Sequence, residues 1–135
     1  MAKMPKEVMD LFNDPQASRA LATVDSAGNL NVVPKGSLIA INEETLAYGD
    51  IFGGKTKQNL DDTCKAAATV FKMAMPPVGY QVKGTCQGYQ TSGPLFDLFA
   101  KEVKERIKMD IKAVGMIKVE EVYSVAPPNV GEKIA

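Results

Sequence analysis

Short blocks of alternating hydrophobic and polar residues, separated by turn chemistry, make up most of this chain. An opening helix is predicted over 5–13: Pro5 suits its first position, Met4, Val8, Leu11 and Phe12 share a face, and Asn13-Asp14-Pro15 stops it. Arg19–Val24 then predicts a strand, Asp25-Ser26-Ala27-Gly28-Asn29 a turn, and Leu30–Val33 a second strand. Pro34 has no N–H to donate and marks an edge, a bulge or that strand's end. Ser37–Ile41 and Thr45–Tyr48 read as strands around Asn42-Glu43-Glu44, so the four strands are expected to form an antiparallel meander.

A glycine-bearing loop follows, then a brief helix with Thr56 as its expected N-cap. Ala67–Phe71 predicts a strand, and Met73–Gly79, with Pro76-Pro77, a loop. From Tyr80 the alternation is long: Tyr80, Val82, Gly84 and Cys86 fall on one face, and Gly84 and Gly88 let such a strand bend. Pro94 opens the longest helix, whose expected buried stripe is Leu95, Phe99, Val103 and Ile107, with Glu102 and Arg106 paired on the exposed side. Ala113–Val125 predicts the last strand, and Asn129–Ala135 a tail that is either loose or reaches a partner subunit. The pattern implies one mainly β domain over 1–135, with 1–16 as an N-terminal helical segment, six or seven antiparallel strands, two or three helices, and a tail over 126–135.

Composition narrows the function. Sixteen basic and sixteen acidic residues cancel, so no global field favours nucleic acid or an anionic membrane. No apolar run approaches a membrane span and no signal-peptide core opens the chain, so a cytoplasmic protein is expected. Cys64 and Cys86 lack C-x-x-C spacing, which argues against a disulfide framework or a zinc site, and Cys86 reads as a buried core thiol. There is no histidine, which removes the commonest general base and metal ligand. No metal site is predicted and no catalytic residue is named; chemistry is expected from a bound organic cofactor.

The candidate chemistry centres on Leu46–Leu60. Gly53 and Gly54 allow close backbone approach, the helix start offers unpaired N–H groups, and Lys55 and Thr56 add a cation and a hydroxyl. A phosphate fits there. Gly49–Thr56 also satisfies the P-loop pattern, a nucleotide-binding alternative that requires a parallel α/β sheet. Isolated lysines such as Lys35 are ordinarily solvated. Thr56 serves as a cap or a ligand contact, Asp50 as a turn residue or an acceptor, and Phe52 as core or a stacking surface.

Three blocks give the chain a family likeness. Ala20–Gly28 with Val32-Val33-Pro34-Lys35-Gly36-Ser37, Lys55-Thr56-Lys57-Gln58-Asn59-Leu60, and Gly79–Tyr89 with Thr91–Phe96 resemble, in the same order, segments of the pyridoxamine 5′-phosphate oxidase-like FMN-binding split-barrel family. The resemblance, over roughly 17–125, is to its small FMN-binding members. It implies a Greek-key split β-barrel homodimer with FMN at the subunit interface, acting as an oxidoreductase of flavin-reductase type or as an electron carrier. The electron donor, small molecule or protein, is left open. By matching position, Lys55 and Thr56 would bind the phosphate, with Asn59 in support. Val33, Pro34, Lys35, Gly36 and Ser37 would line the cofactor, and Tyr48, Gly49, Asp50, Ile51 and Phe52 would run beside its ring. The pyridoxal-phosphate-binding residues of true pyridoxamine phosphate oxidases are not evident, and the histidine of haem-handling relatives is absent. A deazaflavin in place of FMN and a cofactor-free dimeric scaffold stay open.

Overall fold

Turns rather than helices join most of the strands. The computed structural model describes residues 2–135, which form α1 (Lys6–Phe12), β1 (Ser18–Val24), β2 (Leu30–Pro34), β3 (Ile39–Asn42), β4 (Thr45–Asp50), α2 (Gly54–Thr63), β5 (Lys65–Lys72), β6 (Val78–Gln90), α3 (Pro94–Ile107) and β7 (Ala113–Ser124). One sheet holds all seven strands in the order β2-β1-β5-β6-β7-β4-β3, and every neighbouring pair is antiparallel.

That order corrects the expected meander. β2 and β3 are consecutive in the chain but occupy opposite edges of the sheet. A flat seven-stranded sheet separates its edges by about 29 Å, whereas the step from Pro34 to Ile39 spans at most about 18 Å. The sheet therefore has to curl until its edges nearly meet, which is a barrel with one open seam: the split barrel. Curling is eased where β6 shifts register against β7, between Lys83 and Gly84 and again between Cys86 and Tyr89. At Gly84 any Cβ would run into the Lys118 carbonyl, so only glycine permits that crossing. The all-antiparallel ladder also removes the P-loop alternative, since Gly49 is part of strand β4.

Two cores explain the burial pattern. Met4, Val8, Leu11 and Phe12 of the α1 segment pack into the barrel with Leu21, Leu46, Tyr48, Val82 and Ile117. On the other side of β4, Phe99 and Val103 of α3 pack with Ala47, Ile111 and Val114. Strand β4 is consequently buried at all six positions, and 45–50 shows no alternation because neither face meets water. The predicted α3 stripe is shorter than expected: Phe99 and Val103 are buried, but Ile107 is 53% exposed.

The tail returns to its own chain. Ile134 donates its N–H to the Val122 carbonyl at 2.8 Å, and Lys133 bridges to Tyr123 on β7. The cysteine expectation is overturned as well, because Cys64 and Cys86 form a disulfide. The β5–β6 register sets Lys65 opposite Thr85, so the residues just outside that pair face each other with Cα atoms 5.0 Å apart. No helix among the described residues is long and apolar enough to cross a membrane.

Candidate functional site

The seam between β2 and β3 opens into a cleft of about 630 Å³. Its floor and one wall come from Pro34, Lys35, Gly36, Ser37 and Ile39, where the chain crosses from one sheet edge to the other. Gly49, Ile51, Phe52 and Gly53 continue the wall past the end of β4. The opposite wall is α3, through Phe99, Glu102, Val103, Arg106 and Ile107.

Arg19 holds the crossing in place. It is only 8% exposed, and its guanidinium donates to the carbonyls of Phe12 (2.8 Å), Gly36 (3.3 Å) and Asp14. One side chain thus ties the end of α1 to the 35–38 crossing. Asn13 pairs both ways with the Ala40 backbone, donating at 3.2 Å and accepting at 3.0 Å, and so satisfies part of the β3 edge. Ser37 Oγ accepts the Gly49 N–H at 2.9 Å and locks the crossing against β4. Neither Arg19 nor Asn13 was singled out from the sequence. One signal pointing to Arg19 was available: a charged residue at a position that strand alternation turns inward.

The expected site residues divide between regions. Pro34, Lys35, Gly36, Ser37, Gly49, Ile51 and Phe52 come together around the large cleft. Asp50 borders a second cleft of about 610 Å³, which Phe52 and Gly53 share with the first. Val33, Tyr48, Lys55, Thr56 and Asn59 line neither. Tyr48 is 1% exposed in the barrel core, where burial holds its phenol well above the usual tyrosine range. Asn59 is buried and donates to Thr23 Oγ1 at 3.1 Å. Lys55 is exposed on the first turn of α2.

Local geometry decides several two-way readings. Helix α2 begins at Gly54 with Gly53 as N-cap and runs to Thr63, so Thr56 is a buried first-turn residue, neither a cap nor the start of a brief helix. The positive φ angles of Gly53 (70°) and Gly54 (61°) allow this earlier, sharper entry. Asp50 is the turn residue, its Oδ1 accepting the Gly53 N–H at 2.7 Å. Phe52 is not core: it is 74% exposed on the lip between the clefts. The expected Glu102–Arg106 pair is absent from the ion pairs of the described residues, and both side chains line the cleft.

Lys35 is half-buried with its ammonium 5.0 Å from the Tyr48 ring centre. Burial pulls it below the usual lysine range, while the Asp50 charge opposes that pull. Tyr89 borders the second cleft, and Lys57 stands 5.4 Å from the centre of its ring. The donor set suits a flat molecule carrying an anion. Apolar wall residues, the Lys35 ammonium and the Gly53 end that leads into α2 border one cleft.

Comparison with known proteins gives a consistent picture. The chain is 28% identical to HupZ of Group A Streptococcus, covering 98% of this chain and 99% of that one with a TM-score of 0.80. For a histidine-to-alanine form of HupZ the identity is 30%, the coverage 90% and 98%, and the TM-score 0.75. A candidate pyridoxamine 5′-phosphate oxidase from Lactobacillus delbrueckii matches at 26% identity over 90% of this chain and 93% of that one, with a TM-score of 0.70. An FMN-binding protein from Syntrophomonas wolfei has the same fold at 22% identity, with 90% and 85% covered and a TM-score of 0.81. An F420 reductase, a heme-binding protein from Mycobacterium smegmatis and a heme storage protein from Vibrio cholerae share the fold at 11–15% identity. No protein-family model and no curated protein matches the chain.

Proposed function

We propose that this chain, which belongs to the pyridoxamine 5′-phosphate oxidase-like split-barrel family, binds FMN and serves as a flavin-dependent oxidoreductase or electron carrier. The observation that carries this reading is the seam cleft. Seven of the thirteen residues expected to hold the cofactor converge on it: Pro34, Lys35, Gly36, Ser37, Gly49, Ile51 and Phe52. Its volume of about 630 Å³ lies within the range of small-molecule sites.

Bound FMN would supply the hydride or electron transfer. The chain's own residues bind and orient. Lys55, exposed on the first turn of α2 next to Gly53 of the cleft wall, would take the phosphate with the helix dipole behind it, while buried Thr56 and Asn59 brace that turn, Asn59 against Thr23. Ile51 and Phe52, past the end of β4, would border the ring, with Phe52 on the lip. Lys35, half-buried on the cleft wall, would stabilise negative charge on a ring held there. The β2 edge, with Leu30 and Val32 exposed and Pro34 leading into the cleft wall, supports a homodimer whose interface borders the site.

An FMN titration followed by flavin fluorescence tests this reading. The wild type is expected to quench FMN at micromolar concentration or below, and Lys55→Ala to weaken binding about tenfold, the loss of one charge-assisted contact. Failure of the wild type to quench FMN at any concentration reached overturns the proposal.

A further inference from the structure

Helix α2 is tied differently on its two sides. Toward β1 and its turn, Asn59 donates to Thr23 Oγ1 at 3.1 Å, Thr63 Oγ1 donates to the Val24 carbonyl at 2.7 Å, and Asp62 accepts the Ser26 N–H at 2.8 Å. Toward β6 the ties gather at the helix end, where the Cys64–Cys86 disulfide is joined by the Cys86 N–H donated to the Cys64 carbonyl at 2.9 Å. Both cysteines are partly exposed, and the chain has no third cysteine to compete with them. Cys64 ends α2 in the left-handed region, at φ 62°, where its own Cβ is crowded. Cys86 lies where β6 breaks register against β7, just before Gly88 at φ 90°. The bond thus joins a strained helix end to a strand bulge.

We propose that Cys64 and Cys86 form a thiol–disulfide switch that sets how closely α2 stands against β6, and through the helix the affinity of the Gly53–Lys55 turn for FMN. The α2 face carrying Gly54, Lys57, Gln58 and Asp61 lines one side of the second cleft, and Tyr89 and Thr91 at the end of β6 line the other. Cys64 follows Asp61 by three residues and Cys86 precedes Tyr89 by three, so the bond ties those two walls together. Opening it requires an external dithiol. One of its thiolates attacks a sulfur of the pair and displaces the other as a thiolate, and its second thiol then resolves the mixed disulfide. Two electrons and two protons end on Cys64 and Cys86, and the reductant leaves as its own disulfide. The contacts toward β1 persist while the β6 side loses its covalent tie. Cys64 then relaxes from the left-handed conformation, α2 tilts toward β1, and the turn at its far end moves with it. This rests on the flavin reading for the ligand held at that turn. A bond that only stabilised the fold would raise the melting point and leave the affinity of the folded protein alone.

FMN is titrated into the oxidised, dithiothreitol-reduced and reoxidised protein, in the dark and well below every melting midpoint. Reduction is expected to raise the dissociation constant about tenfold, and reoxidation to restore it. Cys64→Ser with Cys86→Ser stays at the reduced value whether or not dithiothreitol is present. Because coupling is reciprocal, saturating FMN raises by about tenfold the ratio of reduced to oxidised dithiothreitol that opens half of the bonds. In the FMN-free protein, amide hydrogen exchange is expected to quicken on reduction most over 54–65 and 86–91. Equal FMN affinity of the oxidised and reduced forms, or exchange that quickens evenly along the chain, overturns the proposal. So does a bond that dithiothreitol does not reduce in the folded protein. If the oxidised protein takes no FMN at all, the flavin reading falls, while hydrogen exchange still decides whether reduction releases α2.

Discussion

Arg19 shows how much one side chain does in a small barrel. Three carbonyls from two separate segments converge on it, and it is buried with no carboxylate among those hydrogen-bond partners. Replacing it with methionine keeps much of the volume but leaves those carbonyls without a donor. Arg19→Met is expected to cost about 3 kcal/mol and to lower the thermal midpoint by about 10 °C. A melting curve superimposable on the wild type contradicts that role. Seven of the residues implied by the family resemblance lie around the seam cleft, but nothing in the sequence named this hub, because hydrogen bonds to main-chain carbonyls leave no residue-type signature on the accepting side. Asp50 and Phe52 illustrate the complementary case: their residue types permitted two roles each, and only backbone geometry and exposure separated them.

At the scale of elements, the strands were legible because alternation and turn residues are local. Every expected strand is present, with ends displaced by a few residues. Which strands pair is not local, and the sequence order β1-β2-β3-β4 suggested a meander that the 35–38 crossing breaks. The disulfide has the same origin. Spacing of 22 residues carries no motif, but the β5–β6 register brings Cys64, at the left-handed end of α2, beside Cys86. It staples the C-terminal end of α2, the helix whose first turn carries Lys55 and Thr56, to the longest strand. Closing a loop of that length is worth about 3 kcal/mol. Cys64→Ser with Cys86→Ser, or treatment with dithiothreitol, is therefore expected to lower the melting point by about 10 °C. Thiol titration of the unreduced, denatured protein should find no free cysteine; two free thiols contradict the pairing.

At the scale of the whole molecule, the open seam and the β2 edge lie next to each other. Leu30 is 84% exposed and Val32 68%, on a strand with one unpaired side. Exposed apolar residues on a free edge are an invitation to pair, and a second copy is the partner the family membership supports. Light scattering is expected to give twice the 14.5 kDa of one chain, and Val32→Glu to give the single-chain mass. A wild-type monomer at all concentrations contradicts the homodimer.

The central claim is that the seam cleft holds a flavin. Its most direct measurement is the visible absorption spectrum of the protein after incubation with FMN and removal of unbound cofactor on a desalting column. The two-banded spectrum of oxidised flavin is expected to travel with the protein at about one FMN per chain. Complete separation of colour from protein, or a purified protein already carrying the single band of a deazaflavin, contradicts it.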